Sequence, residues 1–422
     1  MRARLALLVL ILGVGFAFYW RSTEKQNPGH AGPGQEDASP ESTIDSEEPF
    51  RDSPEMRVSL TNSSRNSFRF ACSQPFEIYL EEASSPQQRM EPFPDEVTVE
   101  ATTNPLGIQI GAETFPGKLI RLKTSASPDF WVNDHQYRGE IWFHRLDSGR
   151  LLAVNHVPLE EYLGSVVDSE MPATFPDNAR KAQAIIARTY ALYRRQETAD
   201  EPYFDLYAST LSQQYLGFQY RTNGGRRLAG ESKISRRLAR ETAGQVCLYE
   251  GKLFSTYYSA VCGGKTTEGS ILFPDAVPLL QPVPCEYCAA AELYKWERRW
   301  SIRQASDYLS REFSRRGIRF GELTKCENVS PEPGPAARFR FEDGRISQTL
   351  TGQQIRNLFP DLPSPTFKLE LTDEQLHFLG AGHGHGVGLC QWGARGMAIE
   401  EKTVEDILNH YYPGVTITPR QD

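Results

Sequence analysis

Residues 156–192, HVPLEEYLGSVVDSEMPATFPDNARKAQAIIARTYAL, decide the fold because the chain changes here from a strand pattern to a helix pattern. Pro158 suits the first turn of a helix. Apolar side chains then recur at the spacing of one helix face, at Leu159, Tyr162, Leu163, Val166 and Val167. The pattern predicts a helix that ends near Asp168.

A second helix is predicted after a short connection. Thr174 is a candidate N-cap, Pro176 fits the first turn, and the helix continues to about Arg195. Its apolar stripe is rich in alanine, which predicts close packing against another backbone, and contains Ala179, Ala182, Ile186, Tyr190 and Tyr193. Glu170 lies in the Pro-bounded connection between these helices, so we expect its position to be fixed.

The surroundings of Glu170 allow two interpretations. It is either a solvated loop carboxylate or a partly desolvated acid beside Met171, Pro172 and Phe175. An acid of the second kind has a raised pKa, because burial disfavours the charged form.

The residues before this stretch form a mainly β region. Between about residues 57 and 157, six strand-like segments alternate with turn residues: FRFA, FEIYL, EVTVEAT, GKLIRLKT, GEIWFHRL and GRLLAVNHV. After the helix pair, residues 205–225 are predicted to be extended segment and loop, 231–244 a helix, and 245–259 a hairpin. These alternating classes of element indicate an α+β fold.

The C-terminal part continues the mixed pattern. Residues 297–378 contain a predicted helix from Ala305 to Arg315 and then strands and turns. The glycine-rich sequence GAGHGHGVGLCQWGARGMA follows and leads into two predicted helices.

Composition excludes one class of partner. Of 422 residues, 39% are hydrophobic and 24% are charged, which is typical of a globular protein. The net charge is −8, and no basic stripe is present. Nucleic acid is therefore not an expected partner.

The N-terminal residues predict export. Arg2 and Arg4 precede an uninterrupted apolar run from Leu5 to Trp20. We interpret residues 1–22 as an uncleaved signal-anchor in the cytoplasmic membrane, with a cleaved signal peptide as the alternative. Residues 23–56 hold nine acidic side chains against Lys25 and Arg51, and their composition predicts a disordered linker. The body of the protein is then extracytoplasmic, in the cell envelope.

Four ordered motifs resemble those of one family. They are the 156–192 stretch quoted above, YYSAVCGGKTTEG at 257–269, GHGHGVGLCQWGARGMA at 382–398, and HYYPG at 410–414. Over roughly residues 140–416 the chain resembles the SpoIID/LytB family of stage II sporulation protein D-type lytic transglycosylases and amidase enhancers. The resemblance implies a catalytic domain at 140–416 with an inserted β-rich subdomain at 297–378, preceded by an N-terminal β-rich region at 57–139.

The resemblance implies cleavage of peptidoglycan glycan strands by one catalytic glutamate, which maps onto Glu170. A lytic transglycosylase protonates the oxygen between N-acetylmuramic acid and N-acetylglucosamine. The muramoyl C6 hydroxyl then closes on C1 to give a 1,6-anhydro end. Because that nucleophile is already tethered to the substrate, proximity replaces an activated water. Glycan strands without stem peptides are the expected substrate.

Several further residues are candidates for substrate binding. On the second helix these are Gln183, Arg188 and Tyr190, where Arg188 is equally well an ion-pair partner. Tyr257 and Tyr258 precede the Gly263-Gly264 turn, and one of them is expected to belong to the core. His385 maps onto the family's histidine, and Gln391 offers a polar contact. His383 stands where the family usually has tryptophan.

The chain has seven cysteines. Cys285 and Cys288 form a C-x2-C pair, a spacing suited to a metal ion. If the tyrosine turn and the glycine-rich loop meet, Cys262 and Cys390 complete a four-cysteine structural zinc site. A Cys285–Cys288 or Cys262–Cys390 disulfide, or buried thiols, are the alternatives. The resemblance also places zinc ligands of some members at Tyr207, Leu211 and Ser212, so that second site is expected to be absent.

Two other functions remain open at this stage. The chain is an amidase enhancer or wall-binding scaffold without catalysis, with a cell-wall amidase as a partner, or it is a metallohydrolase that uses His383 and His385. Retention of Glu170 in its motif favours the transglycosylase.

Overall fold

The computed structural model describes residues 53–81, 85–125 and 129–419. The described chain divides into two compact units. The first unit contains residues 53–175, Gln183–Val246 and 418–419, and the second contains Pro176–Ala182 and Cys247–Ile417. The predicted membrane anchor and most of the predicted linker lie outside the described residues. No helix within the described ranges has the length and apolar character needed to cross a membrane.

The first unit contains two large β-sheets. The strands of the first sheet are β1 Glu55–Ser59, β3 Phe76–Leu80, β4 Gln88–Met90, β8 Leu119–Lys123, β11 Glu140–Arg145, β12 Leu151–Pro158 and β13 Leu206–Tyr207, in the order β13-β1-β12-β11-β8-β3-β4. The strands of the second are β2 Ser67–Cys72, β5 Phe93–Thr103, β6 Leu106–Ile110, β7 Glu113–Pro116, β9 Phe130–Val132, β10 His135–Tyr137, β14 Gln219–Arg221 and β15 Arg227–Ala229, in the order β15-β14-β10-β9-β2-β5-β6-β7.

Aromatic side chains fill the space between these sheets. Phe70 of β2 lies with its ring centroid 5.6 Å from that of Phe76 in β3 and 6.4 Å from that of Phe143 in β11. All three side chains are buried. The inward face of each sheet therefore contributes to one apolar core.

All six predicted strand segments are confirmed, as β2, β3, β5, β8, β11 and β12. β8 pairs with β11, so strands from both sides of the 139/140 division share one sheet. The linker prediction is wrong at its C-terminal end, because Glu55 and Met56 belong to β1 and pair with β12. The apolar side chain of Met56 is completely buried, which explains the order of this segment.

Three helices complete the first unit: α1 Leu159–Glu170, α2 Asp177–Glu197, whose first turns belong to the second unit, and α3 Lys233–Glu241. The predicted apolar face of α1 is confirmed, since all five of its residues are buried. The helix continues two residues beyond the predicted end and stops where Met171 becomes extended.

Residues just before β1 accept hydrogen bonds from the backbone N–H groups in the first turn of α1. The backbone N–H of Leu159 donates to the Pro54 carbonyl at 2.9 Å, and that of Glu160 donates to Ser53 Oγ at 3.1 Å. The N-cap residue Pro158 makes no side-chain cap. Groups distant in sequence therefore satisfy N–H donors that a helix start otherwise leaves unpaired.

The second unit is built from short elements. Two short strands, β17 Tyr258–Ser259 and β24 Leu389–Cys390, pair in parallel. A first three-stranded sheet has the order β18-β23-β22 and consists of β18 Lys295–Ser301, β22 Phe367–Leu371 and β23 Gln375–Ala381. A second has the order β19-β20-β21 and consists of β19 Lys325–Asn328, β20 Arg338–Glu342 and β21 Ser347–Thr351. Its helices are α4 Ile302–Ser314, α5 Gly352–Leu358, α6 Gln391–Ile399 and α7 Val404–Tyr411. Two further strands, β16 Gln245–Leu248 and β25 Thr416–Pro419, each have residues in both units.

The predicted β-rich subdomain has its own core. One cluster of buried side chains extends from Leu293 to Phe378 and includes residues of α4, α5 and both three-stranded sheets. The predicted helix at 305–315 and the two predicted C-terminal helices are confirmed as α4, α6 and α7.

The predicted hairpin at 245–259 is wrong in extent. Only Tyr249 and Lys252 bridge across the turn, where Gly251 has a φ of +73°. The following residues do not pair back on β16, because Tyr258 and Ser259 pair with Leu389 and Cys390. A partner about 130 residues away thus replaces the local one.

Gly380 provides a test of packing in this subdomain. A Cβ at this position would lie 2.1 Å from the Trp296 ring, which is buried and donates a hydrogen bond to the Gly382 carbonyl at 2.9 Å. We expect Gly380→Ala to cost about 1–3 kcal/mol, because neither the ring nor the strand can move without losing packing. Gly334→Ala is the matched control, since no atom lies within 4 Å of its Cβ position. Equal urea-unfolding midpoints for the two variants would contradict the packing.

Candidate functional site

Glu170 is the last residue of α1, and its side chain is 8% exposed. The backbone N–H of Gln214 donates a hydrogen bond to Glu170 Oε1 at 2.8 Å. Of the two interpretations of this residue, the solvated loop carboxylate is wrong. Burial and a defined hydrogen bond hold the carboxyl group in place.

The segment 213–216 is hydrogen-bonded to α1. The Tyr162 hydroxyl donates to Gln213 Oε1 at 3.1 Å, and the Leu216 N–H donates to Ser165 Oγ at 3.1 Å. With the contact at Glu170, three hydrogen bonds connect the segment to successive turns of the helix. The sequence pattern predicts a loop here and does not indicate its contacts with α1. The polar pair Gln213-Gln214 was its only local signal.

The side chains that follow Glu170 are apolar and mostly buried. Met171 has no exposed surface and Phe175 is 4% exposed, while Pro172 is half-buried. About two turns earlier on α1, burial raises the pKa of Tyr162 well above its usual range, and the charges of Tyr190 and Glu170 add to that effect. Glu170 is thus followed by mostly buried apolar side chains.

Arg188 on α2 is an internal ion-pair partner. Its guanidinium is completely buried and donates to both carboxylate oxygens of Glu160 on α1, at 2.7 and 2.6 Å. It also donates to the carbonyls of Ala239 and Gln245, both at 3.1 Å. The ion-pair alternative is confirmed, and Arg188 has no exposed atoms to offer a substrate.

The other two candidates on α2 also face inward. Gln183 has no exposed surface, and Tyr190 is 9% exposed. Any contact of either with a ligand stays a prediction.

In the second unit, Tyr257 forms an aromatic group with Phe273 and His385. Its ring stacks on Phe273 at a centroid distance of 3.7 Å, and its hydroxyl donates to Asp275 Oδ1 at 2.6 Å. His385 lies edge-on, 5.1 Å from Phe273. Tyr257 and Tyr258 are both half-buried, so the expectation that one belongs to the core is wrong.

The glycine-rich loop fixes the histidine ring. The Val387 N–H donates to His385 Nδ1 at 3.0 Å, which assigns the proton of the neutral ring to Nε2. Removal from water lowers the pKa of His385 to about 3, so the ring is neutral at physiological pH.

Gln391 is the first residue of α6 and is 2% exposed. His383, at the position of the family's tryptophan, is buried and bridges to Val261.

Cys262, Cys285, Cys288 and Cys390 form one cluster. Their Sγ atoms all lie within 4.8 Å of one another, and all four residues are buried. Four thiolates around a tetrahedral zinc ion, at about 2.3 Å each, stand about 3.8 Å apart. The Cys262–Cys288 sulfur distance of 3.7 Å matches this spacing. The cluster is thus compatible with a metal site.

Hydrogen-bond donors surround the sulfurs. The Gly393 and Cys262 backbone N–H groups each donate to Cys390 Sγ at 3.3 Å, and the Tyr411 hydroxyl lies 3.2 Å from Cys285 Sγ. A Cβ on Gly393 would lie 1.9 Å from the Tyr411 hydroxyl and 2.6 Å from Cys285 Sγ. Only glycine allows this approach.

The protonation of the cluster is uneven. Hydrogen bonds from the neighbouring sulfurs, that of Cys262 first, lower the pKa of Cys285 and Cys288. Burial, together with the same neighbours, raises the pKa of Cys390. All seven cysteines lie among the described residues, and none forms a disulfide there, so neither disulfide alternative is present.

The structure thus assembles the predicted residues in two groups. Glu170, Gln183, Arg188 and Tyr190 belong to the first unit, and Tyr257, Tyr258, His385, Gln391 and the four cysteines belong to the second. Among the described residues, the four cysteines are the one group whose ligand atoms lie close enough to hold a metal ion, and neither His383 nor His385 is part of it.

Two family matches cover separate parts of the chain. Residues 147–249 match the family described as Stage II sporulation protein, and residues 286–388 match a Domain of unknown function, DUF8618. The first match contains Glu170, and the second contains the subdomain core.

Individual relatives extend the similarity. An uncharacterized protein of Brachyspira hyodysenteriae is 32% identical over 76% of this chain and 82% of its own length. Stage II sporulation protein D of Bacillus subtilis is 30% identical over 63% of this chain and 76% of its own. An amidase enhancer of the same organism is 23% identical over 61% of this chain but only 40% of its own length.

The ion pair between Glu160 and Arg188 predicts a double-variant result. We expect Glu160→Leu or Arg188→Met alone to lower the free energy of unfolding by about 3–5 kcal/mol, because each leaves a buried charge unpaired. The combined variant removes both charges and is expected to recover most of this loss. Urea unfolding of the three variants measures the coupling. Additive losses in the double variant would contradict a buried pair.

Proposed function

This chain belongs to the stage II sporulation protein D family, and from that membership we propose that it is a peptidoglycan lytic transglycosylase of the cell envelope. One observation carries the proposal, which is the burial of Glu170 at the end of α1 with its Oε1 held by the Gln214 N–H. A general acid needs both a fixed position and a protonated state at neutral pH.

A general acid at this position must hold its proton until the substrate binds. The negative end of the α1 dipole disfavours a charge at the last residue of the helix. Burial beside Met171 and Phe175 acts in the same direction, because the charged form loses its hydration. The Gln214 N–H opposes these effects by stabilising a carboxylate, and so it favours the state that forms once the proton is transferred.

In the proposed reaction, Glu170 gives its proton to the glycosidic oxygen as the bond from muramoyl C1 to that oxygen breaks. The muramoyl C6 oxygen forms the new bond to C1, and its proton returns to the Glu170 carboxylate. No water is consumed, and the acid is regenerated. One carboxyl group therefore suffices where glycoside hydrolysis normally uses two.

The alternative function is that of a non-catalytic cell-wall protein. A relative that carries the name amidase enhancer favours this alternative, although its similarity covers a smaller share of its length. Under this alternative the chain binds glycan strands and a cell-wall amidase, and Glu170 has a structural role only. Both functions place the protein outside the cytoplasm, with the predicted N-terminal anchor in the membrane.

Glu170→Gln tests the catalytic proposal. The amide keeps the size of the side chain and cannot donate the acidic proton, so release of 1,6-anhydro fragments from amidase-treated glycan strands should fall at least about a hundredfold. Mass spectrometry of the soluble products measures the release. Glu161→Gln, on the same helix and only half-buried, is the control and should release fragments at the wild-type rate.

Two results separate the functions. Full fragment release by Glu170→Gln refutes the assignment of the acid. Binding of the strands by the unaltered chain with no fragments at all supports the scaffold.

We also propose that the four-cysteine cluster binds one structural zinc ion. Support comes from the ligand type, the spacing of the sulfurs and the surrounding donors, which orient thiolates in such sites. Four thiolates leave no position for a reacting water. Zinc at this site would therefore stabilise the loops that hold the cysteines and take no part in bond cleavage.

Metal analysis tests this site. We expect one zinc per chain in the purified protein and less than about a tenth of that in Cys285→Ser, which removes one of the four ligands. Cys326→Ser is the control, because Cys326 is half-buried on β19, outside the cluster. Undiminished zinc in Cys285→Ser, or zinc-free protein with unchanged thermal stability, would contradict the proposal.

A further inference from the structure

Arg356 on α5 is a half-buried cation whose Nη1 atom has no hydrogen-bond partner among the described residues. Its Nη1 atom has no contact with solvent, and no acceptor lies within hydrogen-bond distance of it. Within the described part of the chain, the guanidinium makes no ion pair and no ring contact. By contrast, the buried guanidinium of Arg188 is paired with the Glu160 carboxylate.

The missing partner is costly. Burial lowers the pKa of Arg356 to about 10, with no carboxylate close enough to oppose the shift, yet the group stays charged at neutral pH. An uncompensated charge in a poorly hydrated place destabilises the folded state. A loss of folding stability of this kind is tolerated where a group is needed for function, as when a bound ligand supplies the counter-charge.

A second buried polar atom lies on the same face of α5. Gln353 stands three residues before Arg356, so the two side chains are neighbours on the helix. The Gln353 amide nitrogen donates to Asn357 Oδ1 at 2.9 Å, but Gln353 Oε1 is buried without a donor. The helix therefore presents one donor without an acceptor beside one acceptor without a donor.

The positive potential extends to the glycine-rich loop. Burial lowers the pKa of His383 to about 4, and the charges of Arg356 and Arg298 lower it further. The Gly384 N–H donates to the Pro363 carbonyl at 3.0 Å, so the segment after α5 touches this loop. Two arginines thus lower the pKa of one neutral histidine.

We propose that Arg356 anchors an oxyanion-binding site on the subdomain that matches the domain of unknown function. Its ligand is a sugar acid, whose carboxylate accepts from the guanidinium and whose hydroxyls face the half-buried Gln353 side chain. Nη1 is the one guanidinium nitrogen of Arg356 that is buried without a partner, and the residue as a whole is half-buried, so a solute approaches the remaining donors. Arginine suits this role because its donors match the two oxygens of a carboxylate.

The identity of the sugar acid rests on the proposed function. N-acetylmuramic acid carries a lactyl carboxylate and free hydroxyls, and so has both groups that α5 lacks. The oxyanion site itself does not depend on Glu170, because it is argued from α5, Arg298 and the glycine-rich loop alone.

Calorimetric titration of the full chain tests the site. The probes are N-acetylmuramic acid, the neutral sugar N-acetylglucosamine and inorganic phosphate. We expect N-acetylmuramic acid to bind, N-acetylglucosamine not to bind, and Arg356→Gln to weaken the binding at least about tenfold. Arg356→Lys keeps the charge and should bind with intermediate affinity. Arg303→Gln, an exposed arginine on α4, is the matched control and should bind as the unaltered chain does.

The titration results distinguish a sugar-acid site, a phosphate site and the absence of any anion site. Binding of phosphate alone, lost in Arg356→Gln, keeps the oxyanion site and replaces the sugar acid by a phosphate group. Absence of binding by both anions, or equal binding by Arg356→Gln, overturns the site and indicates that water satisfies these groups. The titration measures binding and not fragment release, and its variants lie on α5, so a failure of the catalytic proposal leaves this result distinguishable.

Thermal unfolding without ligand supplies an independent readout. If Arg356 is retained for a ligand, Arg356→Met removes an unpaired charge and should raise the unfolding midpoint by roughly 2–6 °C. A lower midpoint would mean that Arg356 stabilises the fold, and it would overturn the proposal.

Discussion

The bidentate ion pair between Glu160 and Arg188 is the contact on which the geometry around α1 depends. Both side chains are buried, so neither charge is tolerated without the other. Arg188 also holds the carbonyls of Ala239 and Gln245, which links α1, α2 and the end of α3 through one guanidinium. Because α1 is rigid, fixing it at its first turn also fixes Glu170 at its last residue. The polar contact therefore determines where the candidate acid stands.

A second kind of constraint operates in the glycine-rich part of the chain. This region has few regular elements, and its loops approach one another closely, as at Gly393 beside Tyr411 and Cys285. Four convergent sulfurs with backbone N–H donors lie where these loops meet, and their spacing is compatible with a metal site. A structural metal ion is the usual way to stabilise an arrangement of this kind.

The subdomain with its core from Leu293 to Phe378 differs in character from both regions. Its aromatic core is well packed, and the Trp296 ring lies where Gly380 has no side chain. Beside this core, Arg356 carries a charge without a carboxylate partner among the described residues. An apolar side chain at this position would avoid the free-energy cost of desolvating that charge. The proposed oxyanion would supply the counter-charge that this guanidinium lacks.

Local sequence patterns determined most of the secondary structure described here. The spacing of apolar residues predicted α1 and α2, and alternation predicted six strands, because each of these signals lies within a short stretch of chain. The role of Glu170 came from the family resemblance, and the C-x2-C spacing of Cys285 and Cys288 indicated a metal site. Tertiary structure alone decided the rest. The partner of Arg188 is 28 residues away, that of Glu170 is 44 residues away, and β17 pairs with a strand near residue 390. Such pairings depend on how the whole chain closes, and a buried polar group takes whichever partner that closure brings within hydrogen-bond distance.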